Sequence, residues 1–469
     1  MTDEEISMVL STYMYLNYRE ADDGMTITEI LSELSASPDY QEGGLFYGEY
    51  TILSEAATNP EIGELVIGNQ SHLMGYDTGT AACTFSTKGG EGVYVVYRGT
   101  GDGEWPDNGL GMTQKSTLQQ ERALRYFEEV VEREHITENQ KLIVTGHSKG
   151  GNKAQFVTMS TKYQEVLDAC YNFDGQGFSE KAIEGWKNAY SEEEYLQRIH
   201  KITGIYGEND YVNVLGISIV PKNQIRYIKT PVSPENFAGY HDIKYMFATQ
   251  ETDPVTGETI TVFHGRKNVY VENRGVLGNY AFYLSEQMMQ MEEKERGSCA
   301  AVVMQLLELG GERKTGLNGE QLSFREVQDF FKSGLPMIAG SLFGTEEGWN
   351  VLMGIVGQNP YTVEMQGRIA VRMNYQLLKE QAEGLADMAA SLKRYEDNVR
   401  MIQEQLPEFV KRSWFLAGRL TRESDSLAES RKKLIKLSEA LIRIVKEYAK
   451  TDVQMAETVL VCSSTKEMV

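Results

Sequence analysis

Up to about residue 290, short apolar runs alternate with stretches whose apolar positions recur at helical spacing, a pattern that predicts an α/β domain. "GVYVVYRGT", residues 92 to 100, is β-branched and aromatic and predicts a buried strand. Residues 121 to 134 place Ala123, Leu124, Phe127, Val130 and Val131 on one face, so a helix leads into the next apolar run, "KLIVTG". "LDACYNF" (167 to 173) and "RIHKITGIYG" (198 to 207) predict two more strands, each preceded by a segment of helical character. Strands and helices in this succession predict a parallel sheet with right-handed crossovers.

The pattern changes after residue 290. A connecting region, 291 to 360, contains the polar, glycine-rich stretch "GGERKTGLNGEQ" (310 to 321), followed by Ser323 and Glu326 at capping-box spacing ahead of an apolar helix. From Tyr361 the chain reads as almost continuously helical. Leu385, Met388, Leu392, Tyr395, Val399, Ile402 and Leu406 form one heptad seam, and Leu427, Leu434, Leu437, Leu441, Ile444 and Tyr448 form a second. Pro407 separates them, where a proline starts or kinks a helix. Residues 361 to 469 therefore predict an all-α hairpin, and neither helix can bury its seam alone.

Length and composition narrow the function. A chain of 469 residues predicts two or three domains. Its net charge of −22 repels phosphate backbones, and no basic patch offsets it, which argues against a nucleic-acid partner. Cys83, Cys170, Cys299 and Cys462 lie far apart, without the spacing of metal ligands or the density of a disulfide scaffold. No metal or organic cofactor is called for. The stretch "MTDEEISMVL" is acidic where a secretory signal is basic, and no run of about eighteen apolar residues occurs, so the chain reads as soluble and outside the usual signal-peptide route.

The chemistry centres on "LIVTGHSKGGNKAQF", residues 142 to 156. Gly146-His147-Ser148-Lys149-Gly150 matches the G-x-S-x-G of a nucleophile elbow, with an apolar strand before it and a helical pattern after it. Serine needs a histidine to take its proton and a carboxylate to orient that histidine, and on this type of fold they follow in the order serine, acid, histidine. His200, His241 and His264 follow Ser148. His200 falls inside a predicted strand and His264 beside the turn of a predicted hairpin, "ITVFHGRKNVYV", which leaves His241, in a loop entering a helix, as the favoured base. Asp210 lies just beyond the carboxyl end of a strand, where open parallel sheets assemble their sites. Asp174, after "YNF", competes for the acid role, with Glu208 behind it.

"VVYRGTGDGEW", "VTGHSKGGNKA", "YNFDGQGF", "IYGENDYVN" and "GYHDIKYM" occur in the order of the corresponding blocks of class 3 lipases, so residues 1 to about 270 resemble that branch of the α/β-hydrolases, and most of all a bacterial lipase-like branch long labelled as of unknown function. The resemblance implies Ser148 as nucleophile, Asp210 as acid and His241 as base. It also implies an oxyanion hole made by Thr100 with the backbone N–H of Lys149. Lys149 itself departs from the aliphatic residue usual in these lipases. Residues 104 to 118, with Trp105 and Met112, stand where such lipases carry a lid over an acyl groove. The implied substrate is a lipid or other acyl ester.

The carboxyl-terminal helices predict self-association through residues 361 to 457 or capture of a small helical protein. "YAKTD", Tyr448 to Asp452, resembles the Y-x-x-x-[DE] export motif of type VII secretion substrates, and "LAG" at 416 to 418 resembles the L-x-G element of their polymorphic toxins. That resemblance implies a secreted effector, with an immunity protein as a further partner and the domain order reversed. The rival readings are a cytoplasmic esterase or thioesterase dimerised by these helices, and a non-catalytic binding protein on a lipase scaffold.

Overall fold

In the computed structural model the described residues are 1–16, 22–77, 79–101, 104–232, 236–253 and 257–307, with isolated positions beyond 307. The chain separates into two units, Met1–Val351 and Leu352–Val469. In the second, among the described residues, Glu364–Met365 pairs antiparallel with Arg368–Ile369 at the place where continuous helix was expected. Every position of the two heptad seams, the "LAG" at 416 to 418, and Asp452 lie outside the described residues.

The first unit is built on an eight-stranded sheet. Its strands are β1 (Val66–Gly68), β2 (Ala82–Ser86), β3 (Gly92–Tyr97), β4 (Lys141–His147), β5 (Ala169–Phe173), β6 (Ile202–Gly207) and β7 (Ile225–Ile228) in sequential order, with β10 (Tyr270–Val271) on the far edge. β3 to β7 are parallel, while β1, β2 and β10 are antiparallel additions, so the sheet is mixed where a parallel one was expected. The stretch predicted as one hairpin around His264 is divided. β9 (Thr259–Phe263) pairs with β8 (Ala248–Thr252), and Tyr270 crosses to Ile228 in the main sheet. His200 is not in a strand either. It caps the helix Glu192–Ile199, which Ser191 opens by accepting the Glu194 N–H, and β6 begins only at Ile202.

Helices cover both faces of the sheet, which is why β3 reads as an unbroken apolar run. Val93, Val95 and Tyr97 face the helices Leu118–Arg133 and Lys149–Ser160, while Tyr94 and Val96 face Asp3–Tyr13 and Tyr47–Ala56. Burying each such side chain contributes about 1.5–3 kcal/mol. The helix predicted from residue 121 starts at Leu118, because Thr117 and Gln120 form a capping box. Cys83, Cys170 and Cys299 are buried and unbridged. No helix among the described residues is long and apolar enough to cross a membrane.

The segment 104 to 118 is not a free flap. It carries the helix Trp105–Gly111, which packs against Glu293–Leu307, so the first unit extends beyond residue 290. Met112, in the segment that stands where such lipases carry a lid, is fully buried in a methionine-rich cluster with Met288, Met289, Met304, Val212 and Leu215.

Candidate active site

Ser148 sits at the carboxyl end of β4 and opens the helix Lys149–Ser160 with φ 59° and ψ −128°, a conformation that costs a non-glycine residue about 1–3 kcal/mol. The turn persists because the surrounding glycines let backbones touch. A Cβ on Gly146 would lie 2.6 Å from the Tyr97 carbonyl oxygen, one on Gly150 2.1 Å from the same oxygen, and one on Gly151 2.1 Å from Asn172 Oδ1. The Ser148 N–H donates to the Phe173 carbonyl of β5 at 2.8 Å, which ties the elbow to the neighbouring strand.

Three residues far apart in sequence meet there. His241, at the end of the 3-10 turn Phe237–His241, places Nε2 2.7 Å from Ser148 Oγ and Nδ1 2.6 Å from Asp210 Oδ1. Asp210 is fully buried in the loop after β6. Its Oδ2 accepts the N–H groups of Val212 (3.1 Å) and Asn213 (2.7 Å) and the side-chain amide of Asn213 (2.6 Å). These donors hold the carboxylate in place and leave Oδ1 for the histidine. A serine and a carboxylate on opposite nitrogens of one imidazole form the arrangement in which the ring takes a proton from the hydroxyl while the acid fixes its tautomer.

Two groups expected to form the oxyanion hole flank the elbow in sequence, Lys149 directly after Ser148 and Thr100 after β3. The first-turn N–H groups of the helix Lys149–Ser160 have no partner inside the helix, and the Ser148 side chain does not cap them. Thr100 follows β3, and its Oγ1 accepts a 2.8 Å hydrogen bond from Asn108 Nδ2, so the Thr100 hydroxyl proton is free to be donated elsewhere. The Lys149 ammonium does not face the nucleophile. It is buried against Asp107 Oδ2 at 2.6 Å, tying the elbow to the helix Trp105–Gly111. Lys153, one turn on, is fully buried on the carbonyls of Gly79, Thr80 and Arg98, and burial pushes its pKa down to about 7.

A second layer supports the triad. His147 stacks beside His241, ring centres 4.8 Å apart. The Gly99 N–H bonds the Tyr15 hydroxyl, which in turn lies 2.6 Å from His147 Nδ1. With Tyr15 donating, His147 carries its proton on Nε2, 3.9 Å from Asp174 Oδ2. Burial, reinforced by the neighbouring His241, holds the His147 pKa well below the usual histidine range, so its ring is neutral. Asp174 does not reach the triad histidine as a partner; it accepts the Gly207 N–H at 2.8 Å, and burial together with the nearby Asp210 charge pushes its pKa well above the ordinary carboxyl value. Glu208 is apart from the triad, its N–H bonded to Ile228. His264 is near Thr249 and Glu251, on the hairpin. The nitrogens of His147 and His241 and an oxygen of Asp174 lie within 4.8 Å of one another, with both His241 nitrogens already committed to Ser148 and Asp210.

Sequence reasoning missed His147, Tyr15, Asn108 and Asn213 as members of this site. His147 stands inside the elbow motif and Asn213 three residues after the acid, so both had a local signal. Tyr15 and Asn108 had none.

A family model described as Mbeg1-like, a lipase-like family, matches residues 58–213, a span that holds Ser148 and Asp210 and stops before His241. No curated protein matches the chain.

Proposed function

We propose that this chain is a serine hydrolase that cleaves acyl esters of lipids, a lipase or phospholipase acting through Ser148, His241 and Asp210. The observation that carries the reading is the continuous hydrogen-bonded line Asp210–His241–Ser148, at 2.6 and 2.7 Å, on a strained strand-to-helix turn. A non-catalytic scaffold has no use for a serine held in that conformation.

Ser148 Oγ attacks the ester carbonyl carbon as its proton passes to His241 Nε2, and Asp210 stabilises the imidazolium. The negative oxygen of the tetrahedral intermediate is met by the Lys149 N–H and by Thr100. Collapse expels the alcohol, which takes the proton from His241 and leaves an acyl-serine. Water then attacks that ester, giving its proton to His241, and the second intermediate releases the acid as the proton returns to Ser148 Oγ.

The lipid assignment rests on the surroundings. A cleft of about 700 Å³ borders Thr100, with Met14, Tyr15, Leu45, Phe46 and Tyr76 on its walls beside the charged Asp77, Arg98 and Glu104, and its apolar side offers a path for an acyl chain. Ser148 is only 3% exposed, so substrate reaches it after a neighbouring segment moves. Long-chain esters should therefore be cleaved faster once presented in vesicles than as monomers.

Fluorophosphonate labelling together with a panel of acyl esters tests the reading. Wild type should be labelled, Ser148→Ala should not, and His241→Ala should lose most of its rate. Asp210→Asn should lose about 10⁴-fold in kcat. Full esterase activity in Ser148→Ala refutes it. Activity confined to soluble short-chain esters or thioesters favours the esterase rival.

We further propose that residues 361 to 457 bind a small helical protein or a second copy of the chain and route the enzyme through type VII secretion, with an immunity protein guarding the producing cell. The heptad seams and the Tyr448/Asp452 spacing support this.

A further inference from the structure

We propose that Glu49 and Lys244 are positioning residues of this site, an ion-paired bridge from the helix Tyr47–Ala56 to Asp242 that fixes where the neighbouring His241 stands between Ser148 and Asp210. The inference deepens the serine-hydrolase reading and rests on it for its effect on rate, though not for its spectroscopic test.

His241 stands at the junction of two short 3-10 turns, Phe237–His241 and Ile243–Phe247, with Asp242 between them. The hydrogen bonds of such turns are poorly aligned, so the turns do not by themselves hold a side chain at a fixed distance from its partners. On the upstream side the bonds are local: Asn236 accepts the Gly239 N–H at 3.1 Å and gives its amide to the Tyr245 hydroxyl at 2.7 Å. Downstream, the attachment reaches across 195 residues of sequence. Lys244 Nζ lies 2.8 Å from Asp242 Oδ2 and donates to Glu49 Oε1 at 2.9 Å, while Asp242 Oδ1 accepts the Lys244 backbone N–H at 3.2 Å. One ammonium thus joins the residue next to the base to a helix that covers the sheet.

The bridge is built into the packing. Glu49 is 6% exposed in the first turn of its helix, where the helix dipole favours a carboxylate, and its Oε2 is buried with no hydrogen-bond partner among the described residues. The stem of Lys244 crosses Gly48, where a Cβ would come within 3.0 Å of Lys244 Cδ. Ile243, Met246 and Phe247 of the same turn are buried in one cluster with Ile52, Leu53 and Ala56 of that helix. Apolar burial docks the turn but is non-directional, so it leaves the exact seat of the turn open. The ion pair is directional. A buried pair is a weak source of stability, because apolar residues of the same volume serve as well, and its place beside the base points instead to registry. A histidine displaced by about 1 Å loses alignment with Ser148 Oγ and Asp210 Oδ1 together, a misplacement that costs about 100-fold in rate.

Two substitutions of Glu49 test the bridge in the full chain. Glu49→Leu removes its helix end and leaves the partly exposed Lys244 paired with Asp242, so no charge is stranded in the core. Glu49→Gln keeps an acceptor for Lys244. With a short soluble ester, Glu49→Leu should lose about tenfold or more in kcat with KM within about twofold, and Glu49→Gln should stay within about threefold of wild type. Proton NMR gives a readout that needs no turnover. The low-field resonance of the His241 Nδ1–H bonded to Asp210 should be present in wild type and in Glu49→Gln, and lost through exchange with water in Glu49→Leu. Wild-type kcat in Glu49→Leu together with an unaltered resonance overturns the proposal, as does a loss in Glu49→Gln equal to that in Glu49→Leu. A chain inactive toward every ester sinks the hydrolase reading and leaves the resonance to decide this one.

Discussion

The strain at Ser148 has a measurable consequence that does not require a substrate. Replacing Ser148 by alanine or by glycine removes the same Oγ and the same hydrogen bond to His241, so the difference between the two variants isolates the backbone. At φ 59° and ψ −128° alanine retains a strain of about 1–3 kcal/mol, while glycine occupies the region freely. Glycine also loses about 0.4–1 kcal/mol through the greater freedom of its unfolded chain. The net expectation is that Ser148→Gly is more stable than Ser148→Ala by about 1–2 kcal/mol. With an m-value of about 3 kcal/mol/M in urea, that is a midpoint higher by about 0.3–0.7 M, within reach of a fluorescence-monitored titration. Equal midpoints, or a more stable alanine variant, would show that the turn is relaxed and that the elbow argument fails at its base.

Three further outcomes follow from the site and its flanks. Asp174 has a folded pKa raised above its unfolded value, so the stability it contributes is complete below the unfolded value of 3.8 and is lost as pH rises through the folded one. Urea stability of wild type should accordingly fall relative to Asp174→Asn across that window by about 1.4 kcal/mol per pH unit, and parallel pH profiles would contradict this. Lys149→Met strips the buried cation from Asp107, which should cost about 3 kcal/mol and raise amide hydrogen exchange in Trp105–Gly111; unchanged exchange there would mean that the pair does not anchor the helix. Tyr448→Leu keeps an apolar seam residue, so self-association should persist while export through a type VII apparatus is abolished; normal secretion of that variant would remove the export proposal.

What the sequence determined by itself is mostly local. Apolar alternation and length marked β3, β4, β5 and β6, because strands covered on both faces must be apolar along their whole run. The glycines around Ser148 announced the elbow, because only glycine permits backbone contacts near 2 Å from a Cβ position. The order serine, acid, histidine narrowed the base to His241. Tertiary structure decided the rest. Whether Asp174 or Asp210 meets the histidine depends on how two loops leave adjacent strand ends, and nothing local distinguishes one aspartate from the other. Whether Lys149 faces substrate or Asp107 depends on where the helix Trp105–Gly111 docks, 38 or more positions away in sequence. Tyr15 reaches His147 across 132 residues, and Met112 turns inward only because Glu293–Leu307 returns to cover it. Local patterning selects elements through their backbone and burial needs, whereas partner choice between titratable groups is settled by distances of a few ångströms that only the packed sheet and its loops create.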